Sequence, residues 1–294
     1  MWRKRILAAL RRSGGDPNGR KYPFDIWNLL NAPRHENEAV IRGLCQNAYL
    51  GGGTALCRVL GRYKMFVDTG DVGVSSHLLL DGYWESWTTE AMLRFVRPGM
   101  TALDVGANLG YFTTLMAELV GPSGHVLAFE PNPPIAERLR KTIAVNGFAA
   151  RAAVHEIALG AEEGGATLIV PPGEPKNAHV IAGQPVSGAT SVARKRLDAI
   201  PEALDADFIK IDVEGAEEDM WRGMEGMLAR GRPMTIFLEF TPGRYASPAR
   251  FLDEILDCGF ALAIIDLVHG VRPISREAVL AGPPAEDQML VLTR

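Results

Sequence analysis

At 294 residues with 47% apolar content, the chain can bury a sizeable core, either as one large domain or as one domain with a lead-in module. A net charge of −4 excludes a global attraction to nucleic acid or acidic lipid, so function has to be sought in local features. Three widely spaced cysteines (Cys45, Cys57, Cys258) exclude a disulfide framework and a clustered thiolate metal site and point to a reducing, cytoplasmic setting, and no apolar run approaches the ~20 residues of a membrane span.

The first residues are basic: Arg3, Lys4, Arg5, Arg11 and Arg12 surround the apolar Ile6–Leu10. A secretory signal needs an apolar stretch of roughly 7–15 residues, so this segment falls short. Trp2, Ile6 and Leu10 recur every fourth residue. Residues 2–12 therefore read as a frayed, solvated end, or as a weak membrane-surface contact; the first reading is favoured. Turn signals follow at Ser13–Pro17 and Gly51–Gly53. Ala55–Leu60 and Tyr63–Asp68 then read as a hairpin, and Thr88–Val96 as a helix stopped by Pro98-Gly99. Residues 1–97 form a lead-in to a domain spanning 98–294.

From residue 100 short apolar strands alternate with helices, the signature of a mainly parallel sheet. The expected strands are Thr101–Val105, His125–Glu130, Val154–Leu159, Phe208–Asp212, Thr235–Phe240, Phe260–Leu267 and Gln288–Thr293. The expected helices are Tyr111–Val120, Pro134–Asn146, Ala216–Ala229 and Pro248–Cys258. Pro134 suits a first turn and Asn146-Gly147 a left-handed cap. Residues 161–200 fit no strand–helix unit. They read as an insertion over the sheet's carboxyl edge, loop-rich apart from a short Ala166–Val170 strand. Lys176, Asn177 and Arg194 are expected to line an acceptor site there.

The sharpest motif is Leu103–Tyr111 (LDVGANLGY), a buried strand ending in an acid, then two glycines, then a helix. Glycines let backbone approach a ligand, and a helix start offers free N–H groups. Gly106 and Gly110 enclose Ala107, Asn108 and Leu109, so the three-glycine dinucleotide fingerprint is not met. Asp104 would face a diphosphate unfavourably but suits a ligand with an ammonium group, as S-adenosylmethionine has. Glu130, ending the next strand, is placed for ribose hydroxyls.

The second constellation is Phe208–Glu217 (FIKIDVEGAE). Strand alternation puts Lys210 and Asp212 on one face, and a lysine in an apolar strand requires a partner, either Asp212 or Glu239. Glu239 ends the apolar run Met234–Leu238. Glu214 and Glu217 also suit the first turn of the following helix as plain structural acids.

These blocks occur in the order seen in FkbM-type methyltransferases, which the chain resembles over roughly residues 54–293: DVGANLGY from Asp104, FEP at Phe129–Pro131, ALG at Ala158–Gly160, RLD at Arg196–Asp198, KIDVEGAE from Lys210 and LE at Leu238-Glu239. The segment DGYWE at Asp81–Glu85 is also similar. The resemblance implies a class I methyltransferase (Rossmann-like) α/β fold with seven strands, six parallel and Gln288–Thr293 antiparallel. It implies S-adenosylmethionine as cofactor and O-methyl transfer, often to a hydroxyl of a sugar, glycan or secondary metabolite. By the same resemblance Asp104, Gly106, Ala107, Asn108 and Gly110 surround the methionine end, Glu130 takes the ribose and Ala158 lies near the adenine. Asp212 sits beside the reacting centre, and Trp84 and Glu85 close over the cofactor.

A hydroxyl is a poor nucleophile while neutral, so a base is needed. Asp212 and Glu239, at neighbouring strand ends with Lys210 beneath them, are expected to supply it. An NAD-type oxidoreductase is the first rival, disfavoured by the missing middle glycine. The second is a non-catalytic binding protein, disfavoured by the intact acids. Asp212, Glu214 and Glu239 could offer oxygen ligands to a cation, but no histidine joins them, so no metal is expected.

Overall fold

The computed structural model describes residues 22–171, 178–182 and 189–294. The basic N-terminal segment, Lys176 and Asn177 lie outside them.

A helix at Arg34–Leu44 leads into three antiparallel strands, β1 (Asn47–Gly51), β2 (Thr54–Val59) and β3 (Tyr63–Asp68). The expected hairpin is thus a three-stranded meander. The Gly51–Gly53 turn, with φ of 91°, 56° and 72°, joins β1 to β2. β1 left no sequence signature because all five of its residues are exposed, so no apolar alternation marks it. In β2 and β3, Ala55, Cys57, Val59, Tyr63, Met65 and Val67 alternate inward.

Helix Pro133–Val145 covers the open edge of β3. Asn146 accepts from Lys64 N and donates to Lys64 O (3.0 and 2.7 Å), and Thr142 Oγ1 accepts from Phe66 N (3.1 Å). Arg62 and Tyr63 both bind Glu118 on helix Tyr111–Leu119. The meander shares a continuous apolar core with the sheet that follows.

The main sheet takes up β4 (Thr101–Val105), β5 (His125–Phe129) and β6 (Ala152–His155). The chain then leaves it for β7 (Ala158–Leu159), β8 (Gly164–Ile169), β9 (His179–Ala182) and β10 (Thr190–Lys195). It returns as β11 (Phe208–Ile211), β12 (Thr235–Phe240), β13 (Ala261–Asp266), β14 (Gly270–Pro273) and β15 (Gln288–Thr293). The sheet order is β14-β13-β15-β12-β11-β4-β5-β6. Six strands run parallel and β15 lies antiparallel between β12 and β13, as the resemblance implies. The expected count of seven rises to eight, because the short β14 folds back antiparallel on β13.

Four other expectations need correction. The run Val154–Leu159 is two strands: β6 ends at His155 and β7 joins a second sheet of order β7-β10-β8-β9. The described part of the insertion is therefore largely sheet, around its own small core of Ala158, Ala166, Leu168 and Val192. Its pattern was concealed because β10 turns Arg194 inward beside Val192, which breaks the apolar alternation. The helix expected over Ala216–Ala229 is two, Glu217–Arg222 and Glu225–Leu228. Gly223 lies so close to the Gly160 carbonyl that a Cβ would stand 2.2 Å from its oxygen. Finally, Arg194 is buried in an ion pair with Asp219 and does not line the cavity.

Candidate active site

The carboxyl ends of β4, β5, β11 and β12 converge on one cavity, which Trp84 and Glu85 close from the lead-in side. Leu168, Ala178 and Val180 of the insertion also line it.

On the β4–β5 side two loops are fastened through one carboxylate. Glu130 accepts from Asn108 N through Oε2 and from Asn132 N through Oε1, both at 2.9 Å. Burial pushes its pKa up to about 7 against the pull of those amides. Asn108, left-handed at φ 49°, is held further by its own Oδ1, which accepts from Leu109 N. Ala107 and Ala158 line the same side.

The two glycines play different parts. At Gly106 (φ 81°) a Cβ would stand 1.8 Å from the Asp212 carbonyl oxygen, so this glycine lets two loops meet rather than a ligand approach. Gly110 (φ 90°) packs on Leu139 and stands back from the cavity.

Beneath the cavity floor lies a buried charge cluster. Lys210 pairs in register with Asp104 on the neighbouring strand, so both project to the same face. Its ammonium donates to Asp212 Oδ2 at 2.7 Å and rests 5.0 Å from the Phe112 ring centre. Burial pulls the Lys210 pKa down, but Asp212, Asp104 and Glu85 outweigh it and the net shift is upward. Asp104 is fully enclosed; Oδ2 accepts from Thr113 Oγ1 at 2.5 Å, and Oδ1 has no partner. Glu85 Oε2 is likewise buried without a partner. Burial raises the pKa of both acids, with Lys210 opposing.

The β11–β12 side carries Asp212, Glu214, Glu239 and Asp287. Arg244 bridges three of them, reaching Glu214 and Glu239 at 2.8 Å and Asp287 at 3.6 Å. Burial, then the neighbouring Asp212, Asp287 and Glu214, push the Glu239 carboxyl up to about 9 despite Arg244. Glu217 points away from the cavity: its Oε1 accepts from Val213 N and Gly215 N (3.1 Å each), and its Oε2 from Tyr245 OH (3.0 Å). It is a strut for the 213–215 turn.

Every residue expected to bind the cofactor or supply the base, except Asp104 and Gly110, thus borders one cavity, with Asp104 just beneath it. Sequence reasoning missed Arg244 and Asp287. Topology held a clue to Asp287: it precedes the antiparallel β15, whose start lies at the carboxyl edge of its parallel neighbours. No motif marks Arg244.

Of the four non-glycine residues at positive φ among the described residues, three (Glu85, Asn108, Glu214) line this cavity. Such conformations persist only where surroundings impose them, and they concentrate at functional sites.

A sheet with its reversed strand between the last two parallel ones, and an acid-lined cavity at their carboxyl ends, defines a class I methyltransferase domain. The chain belongs to the FkbM methyltransferase domain family, whose model matches residues 104–262. Residues 104–262 are accordingly a domain of the methyltransferase type. Over 48 residues the chain is 48% identical to protein-L-isoaspartate O-methyltransferase of Methanothrix thermoacetophila, covering 16% of this chain and 23% of that one. Over 145 residues it is 28% identical to Methyltransferase 1 of Beauveria bassiana, 42% of this chain and 57% of that protein. The chain thus spans about a quarter and under two thirds of these relatives' lengths. Among solved structures, it is similar to a SAM-dependent O-methyltransferase of Thermotoga maritima, at 13% identity and a TM-score of 0.44 over 81% of this chain and 77% of that one. It is also similar to precorrin-6y C5,15-methyltransferase of Geobacter metallireducens, at 15% identity and a TM-score of 0.40 over 71% and 86%. No helix among the described residues is long and apolar enough to cross a membrane.

Proposed function

We propose that the protein methylates a hydroxyl of a small molecule or glycan, using Asp212 as the base. The observation that carries this reading is the Asp212–Lys210 pair at the cavity wall. The residues present fit S-adenosylmethionine: the unpartnered oxygens of Glu85 and Asp104 suit a cation, and Glu130 retains lone pairs for the ribose diol. Gly106, Ala107, Asn108 and Ala158 shape the pocket walls.

When bound, the cofactor supplies a methyl group on a sulfonium, open to in-line attack. Lys210 fixes Asp212 through Oδ2, which leaves Oδ1 to take the proton of the acceptor hydroxyl. Glu239, whose carboxyl is pushed up by burial and by the neighbouring acids while Arg244 holds it, faces the acceptor beside Asp212 as a hydrogen-bonding partner. Arg244 fixes Glu239 and Glu214 so that their geometry persists as charge moves. Burying the reaction under Trp84 and the insertion sheet keeps water from competing. A positioned base contributes roughly 10²–10⁴-fold.

Support for oxygen as the acceptor atom comes from the O-methyltransferase names of the isoaspartate relatives and from the family resemblance, which also suggests a sugar. The free thiols of Cys45, Cys57 and Cys258 favour a reducing, cytoplasmic compartment. Residues 98–294 would be the cofactor domain, with 1–97 as its lead-in.

The test is methyl transfer from radiolabelled S-adenosylmethionine to a panel of glycosides, glycolipids and hydroxylated metabolites. Asp212→Asn should lower kcat at least about 10²-fold with cofactor Kd within a few-fold. Undiminished turnover in Asp212→Asn would remove Asp212 from the chemistry.

A further inference from the structure

The buried charge cluster is unbalanced. Glu85, Asp104 and Asp212 all act on the single ammonium of Lys210, and among the described residues lining the cavity Lys210 is the only cation. Asp212 is satisfied by a direct hydrogen bond. Glu85 Oε2 and Asp104 Oδ1 are buried and make no hydrogen bond of their own, although Thr88 and Trp84 lie near enough to the Glu85 carboxyl to draw its pKa down against burial. An unpartnered buried carboxylate oxygen is costly, and it is retained where something else supplies the positive charge.

Glu85 has a second oddity. It precedes helix Ser86–Phe95 in the left-handed region, at φ 39° and ψ 65°, and its side chain does not cap that helix. A glycine there would relieve the backbone, and a serine or aspartate would cap the helix better. The backbone strain and the unmet oxygen coincide at one residue facing the cavity.

We propose that Glu85, with Asp104 behind it, makes the site a charge discriminator that holds S-adenosylmethionine and releases S-adenosylhomocysteine. This rests on the assignment of that donor under the proposed function. The two molecules differ by a methyl group and by one positive charge on sulfur. Methyl transfer removes that charge, while the proton from the acceptor goes to Asp212. The pocket therefore faces a cation before the reaction and a neutral thioether after it. A carboxylate in a partly desolvated pocket attracts the first and not the second, so product leaves more readily than substrate. Glu85 is a specificity-determining residue in this scheme, not a catalytic one.

Calorimetric titration of the full chain with S-adenosylmethionine, S-adenosylhomocysteine and an analogue bearing an amine in place of the sulfonium methyl reads this directly. The wild type should bind the two cationic ligands at least about tenfold more tightly than the thioether, as a single charge at an effective dielectric near 20 allows. Glu85→Gln should bring all three affinities to within about threefold by weakening the cations alone. Glu85→Gly should do the same while melting higher than Glu85→Gln, because it also relieves the left-handed backbone. Equal or tighter binding of the thioether by the wild type overturns the proposal. A preference that persists in both variants overturns the role of Glu85. If none of the three ligands binds, the donor assignment itself fails and the inference falls with it; if they bind without discrimination, only the inference falls.

Discussion

Gly106→Ala is a small change with a calculable reach. A Cβ at this position would stand 1.8 Å from the Asp212 carbonyl oxygen and 2.9 Å from its carbonyl carbon, and both are backbone atoms that cannot swing aside. Relief requires the two loops to part by roughly 1.5 Å, since non-bonded heavy atoms optimally sit ~3.5–4 Å apart and tolerate only modest compression. The left-handed φ of 81° adds roughly 1–2 kcal/mol for any residue with a Cβ. What moves is Asp212, the proposed base, and a misplacement of about 1 Å can cost 10²-fold in rate. Gly106→Ala should therefore cut kcat by about 10²-fold and lower Tm by several degrees. Gly110→Ala is the matched control: its Cβ would meet the tip of Leu139 at 2.2 Å, away from the cavity. That variant should lose stability and retain kcat within a few-fold. Single-turnover methyl transfer with both variants, alongside thermal melts, separates the two. If Gly106→Ala turns over at the wild-type rate, Gly106 does not position Asp212 and the reading of this loop crossing is wrong.

Two further outcomes follow from the buried charges. Lys210→Met leaves Asp104, Asp212 and Glu85 without their shared cation, and should destabilise the fold by roughly 3–5 kcal/mol in urea unfolding at pH 8, with a smaller loss at pH 5 as the raised carboxyls of Asp104 and Glu85 take up protons. Glu130, with a folded pKa raised to about 7 from 4.5, binds more protons folded than unfolded between those values, so it contributes a loss of stability as pH rises through that window. Glu130→Gln should remove that pH-dependent loss, roughly 3 kcal/mol over the whole window, and an unchanged slope in the variant would contradict the burial argument.

How far the site was legible depended on whether a residue's chemistry matched its local pattern. Asp104, Gly106 and Asn108 stood out because a buried strand ending in an acid before a glycine turn is unusual chemistry in a small window. Lys210 stood out because a lysine in an apolar strand must have a partner, and Asp212 was within reach on the same face. Arg244 carries no such contradiction: an arginine in a proline-containing loop is ordinary until Glu214, Glu239 and Asp287 are brought around it from distant segments. The strain at Glu85 was equally hidden, since sequence pattern does not report a left-handed φ in a glutamate. The fold failed to read through where burial and polarity part company, at β1 with every residue exposed and at β10 with a buried Arg194. The break at Gly223 depends on a carbonyl sixty-odd residues away and could not be seen locally.

The position of β15 also constrains the order in which the protein can be assembled on a ribosome. Strands β13 and β14 touch the rest of the sheet only through it, although both emerge earlier. Until Gln288–Thr293 arrives, β12 presents a bare edge of apolar residues and the β13–β14 hairpin, though it packs on helix Ser86–Phe95, has no strand to join it to the sheet. Asp287 reaches Arg244 at the same moment, so closure of the sheet and completion of the acid cluster are one event. A nascent chain held before residue 287 should expose a sticky edge to chaperones, and release from them should coincide with the first appearance of a competent site.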